Sequence, residues 1–168
     1  IAEKENSTIR QEKKEDGKVI TVSGTGEATV EEIGLYNSKG EKIEIVGVGD
    51  NINLKVKVSV HANLNSLVLG YGIKDRLGQV IFGTNTWLMK QVLSDVKQGE
   101  VYNFNIAFPA NFGIGSYSIQ TALVDRDTHL TANYEWKDMA LVFSVANLDK
   151  NHFAGLTWNE PTIGIEKI

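Results

Sequence analysis

The sequence predicts an all-β protein, an immunoglobulin-like antiparallel β-sandwich of about nine strands. Three observations lead there. Apolar residues recur with period two in run after run, which is what a strand with one buried and one wet face requires. The runs are bounded by Gly, Asn, Asp or Pro clusters at intervals of about eight to twelve residues. No segment longer than one or two turns carries a helical period.

Taken in order, residues 1–26 read as a charged linker from an upstream domain. Their first 18 residues hold ten charges of mixed sign and only Ile1 and Ile9 as strong hydrophobes. The sandwich is expected over residues 27–146. Ala28 and Val30 share one parity while Ile33 and Leu35 take the other, so a bulge is expected near Glu31 and Glu32. Ser38-Lys39-Gly40-Glu41 turns the chain into Lys42 to Val48. Ile52, Leu54, Val56, Val58 and Val60 then alternate with polar residues in the clearest strand of the chain. The stretch VLGYGIKDRLGQVIFGTNTW, Val68 to Trp87, reads as a hairpin turning at Asp75 to Gly78. Leu88 to Val96 fits a short helix or an irregular edge strand.

Strands are also expected at Tyr102 to Phe108, Tyr117 to Leu123 and Met139 to Val145. Tyr117 stands two residues before the inward Ile119, the placement of a tyrosine corner. Residues 147–168 form a tail that carries Phe153, Leu156, Trp158, Ile163 and Ile165, more apolar surface than a terminus leaves in water. It must dock, either on its own sandwich or, exchanged, on the sheet of a second copy.

Composition narrows the function classes. A net charge of −4 and a pI near 5.4, with the cations scattered, leave no basic stripe for nucleic acid. There is no cysteine, so disulfides and thiol chemistry are excluded and a reducing compartment is suited. No apolar run reaches the roughly 20 residues of a membrane span. Phosphate-binding glycine fingerprints and the H-E-x-x-H spacing are absent, and the three His residues lie far apart. Asp125-Arg126-Asp127-Thr128 reads as a solvated turn in place of a calcium loop. Glu135 and Asp138 can be nominated as a glycosidase pair but are equally well read as solvent charges. The residues therefore point away from an enzyme and toward a binding module that needs no cofactor.

The segment DRDTHLTANYEWKD, between the strands ending near Val124 and starting near Met139, falls at a binding end of such a sandwich. A sugar needs an apolar platform for its C–H face and planar donors and acceptors for its hydroxyls. Trp136, Tyr134 and Trp87 are the candidate platforms. Arg126, Lys74, Gln120, Asn85 and His129 are the candidate hydrogen-bonding groups, with Arg126 and Lys74 serving an anionic end group. The competing reading has Trp136 and Tyr134 covering the edge of the core. The residues alternating with Leu67, Leu69, Tyr71 and Ile73 are Val68, Gly70, Gly72 and Lys74. With Ser118, Gln120, Ala122 and Val124, and with Ala140, Val142 and Ser144 of the last strand, they would form a shallow, small-residue outer face.

Gly70-Tyr71-Gly72-Ile73-Lys74-Asp75-Arg76-Leu77-Gly78-Gln79 followed by Val80-Ile81-Phe82-Gly83-Thr84-Asn85-Thr86 resembles the C-terminal domain of Wzt-type ATPases, subunits of ABC transporters that export O-antigen polysaccharide in lipopolysaccharide biosynthesis. The resemblance extends through Gly115-x-Tyr117-x-Ile119. It implies an immunoglobulin-like sandwich that binds the modified, chain-terminating non-reducing end of the glycan without catalysis. It also implies an upstream ATPase domain, a membrane-spanning transporter subunit, a homodimer with exchanged C-terminal strands, and a place at the cytoplasmic face of the bacterial inner membrane. The string does not encode the family's sugar contacts, so the site residues rest on the chemistry above. The alternative is a structural or protein–protein interaction sandwich.

Overall fold

The computed structural model describes residues 9–13, 17, 19–126 and 132–168. Among them twelve strands form two sheets. The larger sheet runs β1 (Arg10–Lys13), β2 (Val19–Ser23), β12 (Asn133–Ala146), β11 (Gly115–Val124), β7 (Leu64–Lys74), β8 (Val80–Asn85). Two short strands join it: β5 (Ile45–Gly47) pairs in parallel with the end of β12, and β9 (Leu93–Val96) pairs with β7. The smaller sheet runs β10 (Val101–Pro109), β6 (Asn51–Val60), β3 (Ala28–Tyr36), β4 (Lys42–Ile43). Every pairing except that of β5 is antiparallel.

The period-two pattern decides which atoms meet between the sheets. Leu54, Val56 and Val58 of β6 face Leu67, Leu69 and Ile73 of β7 and Ile119 and Leu123 of β11 in one continuous buried core. The expected bulge is present, as a register shift in β3 between Val30 and Glu32. Tyr117 is buried and donates its hydroxyl hydrogen to the Gly113 carbonyl at 2.7 Å, the tyrosine corner read from its position. Asp75 caps the β7–β8 turn by accepting from the amides of Leu77 and Gln79, and Gly78 there has φ +81°.

Three elements differ from expectation. The charged N-terminal segment supplies β1 and β2, because Ile20 and Val22 alternate into the interior while their neighbours stay wet. Leu88 to Val96 is neither helix nor simple edge strand: a tight turn over residues 86–90 leads into β9, with Lys90 and Asp95 at positive φ. The tail is divided. The Phe153 and Trp158 rings meet tilted, 4.8 Å apart, and pack on this chain's own core, tied down by Gly113 N–H to Leu156 O and Trp158 N–H to Asn111 O.

Gly113 makes that docking possible, since a Cβ there would run into the Gly155 carbonyl oxygen. Gly113→Ala is expected to lower unfolding free energy by about 1–3 kcal/mol, the range for overpacking a fixed contact. Urea unfolding checks it, and an unchanged midpoint would show that the tail is not fixed there.

Candidate functional site

The outer face of β8, β7, β11 and β12 carries a groove of about 210 Å3, the space of about seven waters in the liquid. Its floor is flat because of its residues. Gly70 lies in register between Asn85 and Ala122, and Gly72 between Gly83 and Gln120. A Cβ on Gly72 would stand 2.9 Å from Gln120 Nε2, so the Gln120 side chain lies across this glycine and the missing methyl is what admits it.

Trp136 lines the groove from its register position beside Ala122. With Val92 it packs over a small second cluster of Val68, Ala122 and Val124. Leu88 and Asn85 also line the groove, beside Thr84 and Thr121. The Thr121 hydroxyl is buried with no hydrogen-bond partner among the described residues. The groove therefore offers an indole, an aliphatic pit and two carboxamides. Among the described residues that line it none is charged.

Three of the eight residues expected at the site, Trp136, Gln120 and Asn85, are brought together here. Asn85 has a second duty: its Oδ1 accepts from Leu88 N–H at 2.7 Å and sets the following turn. Thr86 closes that turn on β7, donating its amide to Leu69 O and accepting from Leu69 N–H through its hydroxyl. Trp87 is 43% exposed on the turn, outside the groove. Lys74 shares the outward parity of Gly70 and Gly72 but lies beyond the groove's end, in register with Ser118 and Val80. Arg126 is exposed and also does not line it, and His129 lies outside the described residues.

Tyr134 is a correction. A register shift in β12 opposite Leu123 and Val124 turns its ring inward, where it joins the core and donates to the Ser66 carbonyl at 3.1 Å. Burial, reinforced by the Asp125 carboxylate, pushes its phenol far above the ordinary tyrosine range. It is a core residue, not a stacking platform.

The two nominated carboxylates are also tied into the fold. Glu135 pairs with Leu123 in register, faces the core, and accepts from Val30 N–H at 2.9 Å, while Lys137 donates to Val30 O at 3.2 Å with 3.8 Å to the Glu135 carboxylate. The two side chains thus clasp the bulge of β3 to β12. Asp138 accepts from Thr21 N–H at 2.9 Å and fastens β2. Among the described residues no three acidic or imidazole side chains gather where a metal ion could sit.

Leu88, Thr84 and Thr121 were not singled out from the sequence. The glycines on adjacent strands, Gly70 and Gly72 on β7 with Gly83 opposite Gly72 on β8, are the signal that marks their neighbourhood.

No curated protein is significantly similar in sequence. Among solved structures, one titled as the crystal structure of the C-terminal domain of Wzt superposes with a TM-score of 0.75 at 18% identity, covering 88% of this chain and 89% of that one. A β-D-mannosidase from Dictyoglomus thermophilum matches at a TM-score of 0.39 and 12% identity over 64% of this chain and 13% of its own. The former shares the fold. The family model of the Wzt C-terminal domain matches residues 20–159, from the inward Ile20 of β2 to just past the docked Trp158, and the chain therefore belongs to the Wzt C-terminal domain family.

Proposed function

We propose that this domain is a non-catalytic carbohydrate-binding module that holds the non-reducing end of an O-antigen polysaccharide during export by an ABC transporter. Membership of the family supports a carbohydrate-binding role in such a transporter. The observation that carries the reading is the groove beside Trp136: an indole and an aliphatic pit for a ring's C–H face, with Gln120 and Asn85 carboxamides for its hydroxyls. Because its described lining is uncharged, the end unit it favours is uncharged too, and Lys74 and Arg126 are peripheral. On this reading the domain needs no cofactor. It works at the cytoplasmic face of the inner membrane beside an ATPase domain and a membrane-spanning subunit. No described helix is long and apolar enough to cross a membrane.

Calorimetric titration with delipidated O-polysaccharide of the producing bacterium tests this, intact and with its terminal unit removed by an exoglycosidase. Binding of the intact chain alone is expected; equal affinities, or none for either, would sink end recognition.

The last residues support a homodimer. Beyond the docked Trp158, Ile163 is 77% exposed and Ile165 91%, two residues apart in a segment that pairs with no strand among the described residues. They would be covered as a strand exchanged with a second copy. The full chain is expected to run as a dimer by light scattering, and a chain ending at Asn159 as a monomer with its melting temperature kept by Phe153 and Trp158. Equal masses would remove the exchange.

The second reading, a protein-interaction module, draws on the apolar turn where Trp87, Leu88 and Met89 stand exposed. It predicts that Trp87→Ala keeps glycan affinity and loses an assembly partner.

A further inference from the structure

A larger groove, of about 1030 Å3, lies over the outer face of the smaller sheet. Its floor follows from register. Gly34, Lys55 and Asn105 stand side by side across β3, β6 and β10, and Glu32, Lys57 and Asn103 form the next row. Residues 140–144 of β12 border it, the same strand that brings Trp136 to the first groove.

Two of its lysines are held against neighbours on the sheet. Tyr36 lies back along β3 over Gly34, where a Cβ would come within 3.2 Å of its ring and 3.1 Å of the Lys42 stem. Lys55 holds its ammonium 4.4 Å from the centre of that ring. Lys57 is drawn to Glu32 at 3.4 Å. The exposed carboxamides of Asn103 and Asn105 follow one another along β10 at about 7 Å, the two-residue repeat of a strand. Four lysines and three glutamates line the groove, so its net field is weak and a polyanion gains little there. A tyrosine edge, repeated planar amides and balanced charge suit a long, uncharged, polyhydroxylated chain.

We propose that this groove binds the body of the polysaccharide, a run of internal repeat units, while the groove beside Trp136 takes its end. The inference rests on the carbohydrate reading of the domain. A chain held at both places gains the effective concentration that linkage supplies, so long glycans bind more tightly than short ones. The exchanged tail of a second copy is the competing occupant; its Ile163 and Ile165 are poorly matched to a floor of amides and charges.

The test uses the full chain and two probes, delipidated O-polysaccharide and the oligosaccharide of its terminal few sugars. Tyr36→Ala and the double variant Asn103→Ala/Asn105→Ala are expected to weaken polysaccharide binding about tenfold, the effect of losing one stacking or amide contact set. Affinity for the short probe, the melting temperature and the dimer mass should stay as they are. Polysaccharide affinity unchanged in both variants overturns the proposal, and a fall to monomer mass with affinity intact overturns it in favour of the partner's tail. If instead Trp136→Ala binds both probes normally while Tyr36→Ala loses the polysaccharide, end recognition fails and this groove stands.

Discussion

Trp136→Ala is expected to weaken binding of the glycan end by at least about 30-fold, corresponding to roughly 2 kcal/mol or more for a buried aromatic anchor at the centre of a contact. The indole lines the groove beside the Gln120 and Asn85 amides, and its loss also opens the aliphatic pit of Val68, Ala122 and Val124 to water. Trp136→Phe should retain part of the affinity, since a smaller ring still covers the pit. Trp87→Ala, outside the groove, should change affinity little. Calorimetry on the three variants, with melting curves to confirm folding, decides it. A Trp87 effect larger than the Trp136 effect would move the site onto the turn.

Glu135→Ala is expected to be the most damaging single change to stability among those considered. It leaves the Val30 amide without its acceptor and Lys137, with its side chain only 14% exposed, without its counter-charge. Removing one member of a buried pair costs about 3–5 kcal/mol, and Lys137's partial access to water places the loss near the lower figure, about 3 kcal/mol. The pH dependence has a definite sign. Burial raises the Glu135 carboxyl above its ordinary range, against the Val30 N–H and Lys137, which lower it. A raised folded-state pKa means that its contribution is complete below the unfolded pKa and is lost as pH rises through the folded one. Relative to wild type, Glu135→Gln should therefore lose that decline between the acid range and neutrality while keeping an acceptor for Val30. Parallel stability profiles of the two proteins from pH 4 to 7 would refute this account.

Much of the sandwich was legible because its strands obey strict alternation: β6, β10 and the ends of β11 and β12 could be read from parity alone. The bulge at Glu31 and Glu32 showed as a parity change, and the Tyr117 corner as a position. The N-terminal hairpin was not legible, since ten charges in 18 residues outweigh two inward hydrophobes in any reading by composition. Tyr134 was misplaced because β12 carries irregularities in register that no alternation rule locates. The small-residue outer face was seen, and with it Gln120; Asn85 and Trp136 were named as candidates, but Trp136 was expected in a connecting segment and stands instead within β12, which begins at Asn133. Lys74 shared their parity but not their position along the strands. The face with Tyr36, Asn103 and Asn105 passed as an ordinary wet surface, because its shape depends on how far one sheet edge overhangs the other.

The alternation along β12 separates two kinds of inheritance. Trp136 looks out onto the groove, while Glu135 and Lys137 on either side look in and hold the bulge. On the proposed function, a lineage that handles a different glycan would exchange the outward position and its neighbours on β11 and β8 without paying in folding, whereas drift at the inward pair removes the scaffold itself. Specificity and stability are thus written on the same strand in interleaved letters, and relatives of this domain can diverge in what they bind while remaining superposable in how they fold.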